Sequence, residues 1–109
     1  MSKQRAKGTA LETLVLSEFR RYYPQAERRA LQGANDKGDL LLPGETRFIV
    51  ECKNVARMDL AGWHAEAVAE AANAGVPHGV VVHKRQRRGQ AGDQWVTLSL
   101  SSFLELVNP

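Results

Sequence analysis

Between residues 47 and 83 the chain alternates strand, helix and strand patterns, and this constrains its fold more than any other stretch. Phe48-Ile49-Val50 opens a β-branched and aromatic run that reaches Lys53. An Ala-rich segment, 59 to 74, comes next, with Leu60, Trp63, Ala67, Ala71 and Ala74 on one helical stripe. Asp59 is its candidate cap, and Gly75 with Pro77 ends it. Residues 79 to 83, Gly-Val-Val-Val-His, are apolar enough for a strand covered on both faces. Two strands joined through a helix run parallel, because the crossover returns the chain to the same end of the sheet. The expectation is therefore an α/β domain.

The flanking segments complete it. Thr9 is placed to cap a helix whose apolar residues Leu11, Leu14, Val15, Phe19 and Tyr22 recur at helical spacing, with Pro24 as its stop and residues 1–7 as a mobile basic start. Residues 26 to 32 are assigned to a first strand, 33 to 38 to a Gly/Asn-rich turn, and 39 to 42 to a second strand; Pro43-Gly44-Glu45 turns into the third. After residue 83 come a basic, glycine-rich loop (84–93), a strand from Trp95 to Leu100, and a helix to Val107 capped by Ser101 or Ser102. The expected order is α-β-β-β-α-β-β-α, a mixed central sheet flanked by helices, and 109 residues suffice for one such domain and not two. No apolar run approaches the roughly 18 residues needed to span a bilayer, and the start lacks a signal-peptide core, so the expected location is the cytoplasm, whether a cell or a phage encodes the chain. The single cysteine, Cys52, can form no internal disulfide and reads as a core residue.

Charge is unevenly spread although the net value is only +3. Lys3, Arg5 and Lys7 lead, and Lys84, Arg85, Arg87 and Arg88 form the densest cluster; the acids Asp36, Asp39, Glu45, Glu51, Asp59, Glu66 and Glu70 collect between them. Asp39 opens one predicted strand, and Glu51 and Lys53 close the next on a common face, since strand side chains alternate. Pairing those strands brings two carboxylates and an ammonium to one spot. Carboxylate oxygens are the hard ligands that Mg²⁺ prefers, Mn²⁺ being a natural substitute, and such a site flanked by cations suits phosphodiester hydrolysis. Lys53, beside two acids, is expected to stay charged and to orient a water or a phosphate. Taken by position alone, Glu12 compensates the start of a helix, Asp36 serves an Asx turn, Trp63 anchors the core, His64 lies on the surface and His83 is structural. The glycines near the basic cluster (Gly89, Gly92) predict a flexible loop that wraps DNA.

The order of elements, with an acid at the start of the second strand and Glu-x-Lys at the end of the third, resembles the PD-(D/E)XK nuclease superfamily. The chain carries Gly38-Asp39, eleven residues, then Glu51-Cys52-Lys53, so Gly38 stands where the signature has proline. Lys7-Gly8-Thr9-Ala10-Leu11-Glu12, Asn35 to Asp39, Glu51 to Asn54 and Val81 to Arg85 look like the Holliday junction resolvases of archaeal and phage type, over residues 7 to 107. The resemblance implies a restriction-endonuclease-like core and a metal site at Asp39, Glu51 and Glu12, with Lys53 catalytic and Glu66, where many members carry Gln, in support together with Asp36. It also implies Mg²⁺-dependent cutting of four-way DNA junctions by a homodimer, since a two-fold symmetric junction needs two nicks. The alternatives are a related nuclease acting on flap, mismatched or plain duplex DNA, a non-catalytic DNA-binding module of the same fold, and an RNA substrate.

Overall fold

A computed structural model describes residues 2 to 30 and 33 to 109. The chain forms helix α1 (Lys3–Phe19), strands β1 (Glu27–Arg28), β2 (Leu40–Leu41) and β3 (Phe48–Lys53), helix α2 (Leu60–Ala74), strands β4 (His78–His83) and β5 (Trp95–Thr97), and helix α3 (Leu100–Val107). The order is the expected one. The strands, however, form two sheets: β1 and β2 pair antiparallel, while β3, β4 and β5 form a mixed sheet in that order. A backbone bond links the sheets at the site end, from the Asp39 N–H to the Val50 carbonyl (2.8 Å).

The β-α-β unit forms as its sequence predicts. β3 and β4 run parallel from the Phe48–His78 pair to the Lys53–His83 pair. Asp59 caps α2 by accepting the Gly62 N–H (3.1 Å), and Gly75 ends it in the left-handed conformation (φ 72°). Alternation along the strands sorts the core into two layers. Val50, Cys52, Val80 and Val82 pack on Leu11, Val15 and Leu16 of α1, and Ile49 and Val81 pack on Trp63, Ala67 and Ala71 of α2. Ala67 and Ala71, being small, let α2 approach the sheet closely. A Cβ on Gly79 would overlap the Ala67 carbonyl, so Gly79→Ala must push the helix off the sheet. The expected cost is about 1–3 kcal/mol, read as a lowered midpoint in urea unfolding; an unchanged midpoint would show that α2 does not seat this closely.

The first helix departs from expectation at both ends. It begins at Lys3, because Ser2 accepts the Arg5 N–H (3.1 Å) and the residues after it are good helix formers, so Lys3 to Lys7 are helical and not a mobile start. Thr9, the expected cap, lies inside, where its carbonyl accepts the Thr13 hydroxyl (3.0 Å). The helix stops at Phe19, well before Pro24, and Tyr22 is exposed in the turn beyond it. The first strand is only Glu27–Arg28; Leu31 and Gln32, assigned to it from the sequence, lie outside the described residues. β5 ends at Thr97 because Ser99 caps α3, accepting the Ser102 N–H (3.1 Å), which moves the cap upstream of Ser101 and Ser102. His78 fastens α3 to the sheet through Ser102 Oγ (2.9 Å) and Glu105 Oε2 (3.0 Å). Among the described residues no helix is long and apolar enough to cross a membrane.

Candidate metal centre

The site grows from the end of β3. Ile49, Glu51 and Lys53 alternate onto the face covered by α2, so Glu51 succeeds a core residue on the inward side and is only 5% exposed. On α2, Glu66 and Glu70 stand one turn apart and share a face. Glu70 is 4% exposed, while Glu66 lies at the rim. Oxygens of Glu51, Glu66 and Glu70 all lie within 4.8 Å of one another.

The turn before β2 brings Asp39. The Asp36 side chain accepts the Gly38 N–H (2.8 Å), the expected Asx turn, and Asn73 of α2 holds the turn by donating to the carbonyls of Ala34 (3.1 Å) and Asp36 (2.8 Å). Gly38 adopts φ 99°, and a Cβ there would lie 2.8 Å from the Val50 carbonyl oxygen. Proline cannot reach that φ. Asp39 then accepts the Cys52 N–H on Oδ2 (2.7 Å), which fixes its carboxyl at the open edge of β3, against Glu51.

These acids disturb one another. Burial raises the pKa of Glu51, and the neighbouring carboxyls of Asp39 and Glu70 raise it further. Burial likewise raises Glu70, with Asp36, Asp39 and Glu66 adding to the effect. Glu51 Oε1 and Glu70 Oε2 are enclosed, with no hydrogen-bond partner among the described residues. Lys53 supplies the nearest cation: its Nζ contacts Glu66 and lies 3.5 Å from Glu51 Oε2. Burial works against its charge, but the bonds to Glu66 and Glu51 prevail and raise its pKa, so it is an ammonium at neutral pH. Burial opposes ionisation of Glu66 as well, yet the Lys53 contact holds it below the ordinary carboxylate value. Two unpartnered oxygens in a group of acids facing a single ammonium are what a divalent ion would satisfy. The cluster could hold a metal ion.

The positions singled out in the sequence divide accordingly. Glu51, Lys53 and Glu66 come together, Asp39 lies against Glu51 but outside the three-carboxylate group, and Asp36 shapes the turn beside them. Glu12 stays outside the three-carboxylate group: it is half-buried on α1 and paired with Arg28 (3.1 Å), and burial and the charge of Asp39 raise its pKa. Glu70 is the member that sequence reasoning misses, although its spacing of four from Glu66 is a visible signal. Burial pushes the Cys52 thiol up, which leaves it an inert core residue.

Basic residues lie around the same end of the sheet. The Asn54 amide, just past β3, reaches the Lys7 carbonyl (3.4 Å), which sets the first turns of α1, carrying Lys3, Arg5 and Lys7, beside the strand ends. The 84–93 loop is braced, unlike the flexible loop expected. Buried Gln94 accepts the Arg85 N–H (2.8 Å) and donates to the carbonyls of Arg88 (3.0 Å) and Gln90 (2.8 Å). Lys84 is spent internally, its Nζ donating to the carbonyls of Arg85 (2.7 Å) and Arg88 (2.5 Å). Arg85 stacks on Trp95 at 4.2 Å, and Arg87 and Arg88 remain exposed.

The fold and the site together define an α/β domain with a mixed three-stranded sheet and a buried acidic cluster, fitted with one lysine, at the ends of two parallel strands. Compared with known proteins, the chain matches no family model, no curated protein and no solved structure.

Proposed function

We propose that this chain is a Mg²⁺-dependent endonuclease that resolves four-way DNA junctions as a homodimer, on a restriction-endonuclease-like core. The observation that carries this reading is the convergence of Glu51, Glu66 and Glu70, with Asp39 against Glu51, around oxygens that lack partners, next to a charged lysine. Glu51 and Glu70, with Glu66 or Asp39, would hold the ion; bound there, Mg²⁺ or Mn²⁺ supplies an acidified water and charge neutralisation at phosphorus. Lys53 donates hydrogen bonds from its ammonium to the attacking water or the phosphate, and its raised pKa keeps it from acting as a base. Glu12 positions Arg28, whose guanidinium at the rim can receive a phosphate of the strand.

Arg87, Arg88, Lys3, Arg5 and Lys7 offer cations to backbone phosphates, an arrangement that reads DNA by shape more than by sequence. With one such cluster among the described residues of each chain, two symmetric nicks call for two copies. The face that fits a second copy is the outer side of α3, where Leu100, Phe103, Leu104 and Val107 are exposed, continuing over Val96 of the edge strand β5.

Labelled four-way junction, flap and plain duplex DNA, each incubated with and without Mg²⁺, test the reading. The expected result is paired symmetric nicks in the junction that require the metal. Cutting of flap or duplex with equal efficiency would move the substrate to the related nucleases, and no cutting under any divalent ion would overturn the enzyme.

A further inference from the structure

A second recess opens beside Lys53, and none of the clustered acids lines it. It measures about 370 Å³ and is walled by Trp63, His83, Arg85, Trp95 and the polar Asn54 and Gln86. Its position is set by the register, since Lys53, His83 and Trp95 stand in one row across β3, β4 and β5. The rings of Trp63 and His83 lie 5.4 Å apart at 52°, and the Arg85 guanidinium covers Trp95. His83 is buried, shares a hydrogen bond between Nε2 and the Thr97 hydroxyl (2.8 Å), and has no partner among the described residues on Nδ1. Burial also lowers its pKa, so the ring adds no positive charge to the recess at pH 7. Aromatic walls, a stacked guanidinium and amide groups suit a flat, neutral heteroaromatic ring, and the volume is at the small end for ligand pockets, far too narrow for a duplex.

We propose that this recess takes one unstacked nucleobase of the DNA strand being cut, the base adjoining the phosphate that reaches Lys53. The inference rests on the nuclease reading for the identity of the strand. It explains why the two tryptophans of the chain both line one recess beside the cluster, and why branched DNA, whose bases at the branch unstack at little cost, is the favoured partner.

Because both tryptophans line the recess, intrinsic fluorescence reports its occupancy. The probes are a short single-stranded DNA and a strand of equal length built wholly of abasic units, which keeps every phosphate; both are titrated with Ca²⁺ in place of Mg²⁺. The normal strand is expected to quench emission to saturation, and the abasic strand to bind about tenfold or more weakly with little quenching. Trp95→Ala should bring the affinity for the normal strand down to that for the abasic one, and Trp95→Phe should restore it. Equal affinity and quenching for the two strands would overturn the proposal, as would unchanged discrimination in Trp95→Ala. Base-dependent quenching in a protein that never cuts would support the recess while the nuclease reading fell; junction cutting with base-independent binding would do the reverse.

Discussion

Glu51→Gln is expected to abolish junction cutting, by about a thousandfold or more, while leaving DNA binding intact. That magnitude is the scale at which one preorganised charged group acts in an enzyme site. Glu51 is buried against Asp39 and Glu70 with Oε1 unpartnered, so the amide keeps the shape of the side chain and removes only its charge. The same change should stabilise the metal-free protein, because a buried carboxylate among carboxylates opposes folding. Activity and stability thus move in opposite directions, an outcome that mere unfolding cannot imitate. Wild-type cutting rates in Glu51→Gln, measured on labelled junctions alongside a binding titration, would remove Glu51 from the chemistry.

Without metal, stability is expected to fall as pH rises, and Mg²⁺ should reverse the fall. Glu51, Glu70 and Glu12 all have folded-state pKa values raised from 4.5, chiefly by burial. Their contribution is therefore complete below about pH 4.5, where folded and unfolded chains are both protonated, and is lost as pH climbs toward the folded values. Glu66, held low after burial is offset by Lys53, acts in the opposite sense and more weakly because it is exposed. A divalent ion held by the ionised cluster of the folded chain alone would, at a hundred times its dissociation constant, add about 2.7 kcal/mol, or about 10 °C in Tm for a domain of this size. Thermal melts from pH 4 to 9, with EDTA and with Mg²⁺, test this. A metal-free midpoint that does not decline above pH 5, together with no shift on adding Mg²⁺, would mean that the acids are not a coupled cation site.

The range of the forces involved decides which features are legible in the sequence. The β-α-β unit is legible because each of its signals is local: Asp59 and Gly75 bound α2 as expected, and the apolar run to His83 becomes β4 in parallel with β3. The meeting of Asp39 with Glu51 is legible because alternation along β3 and a close approach of the chain at Asp39 suffice for it. The division of the sheet is not, since two-residue strands such as β1 and β2 leave almost no periodic trace. Ser2 gives a fainter capping signal than Thr9, because a cap is recognised by the apolar stripe downstream of it and the basic turn after Ser2 has none. Glu70 stays hidden for a related reason. On an Ala-rich helix an acid reads as a solvated charge, and only the seating of Ala67 and Ala71 on the sheet carries it inside.

Gln94 has an effect that extends beyond its own hydrogen bonds. By tying together the carbonyls of Arg88 and Gln90 and the Arg85 amide, it makes the cationic segment a rigid template instead of a lasso. Such a segment would surrender little backbone entropy on meeting a polyanion, and Arg85, stacked on Trp95, would meet it from a fixed position. A polyanion whose phosphates already follow the braced segment would be captured without deformation, and a straighter one would have to bend to be held.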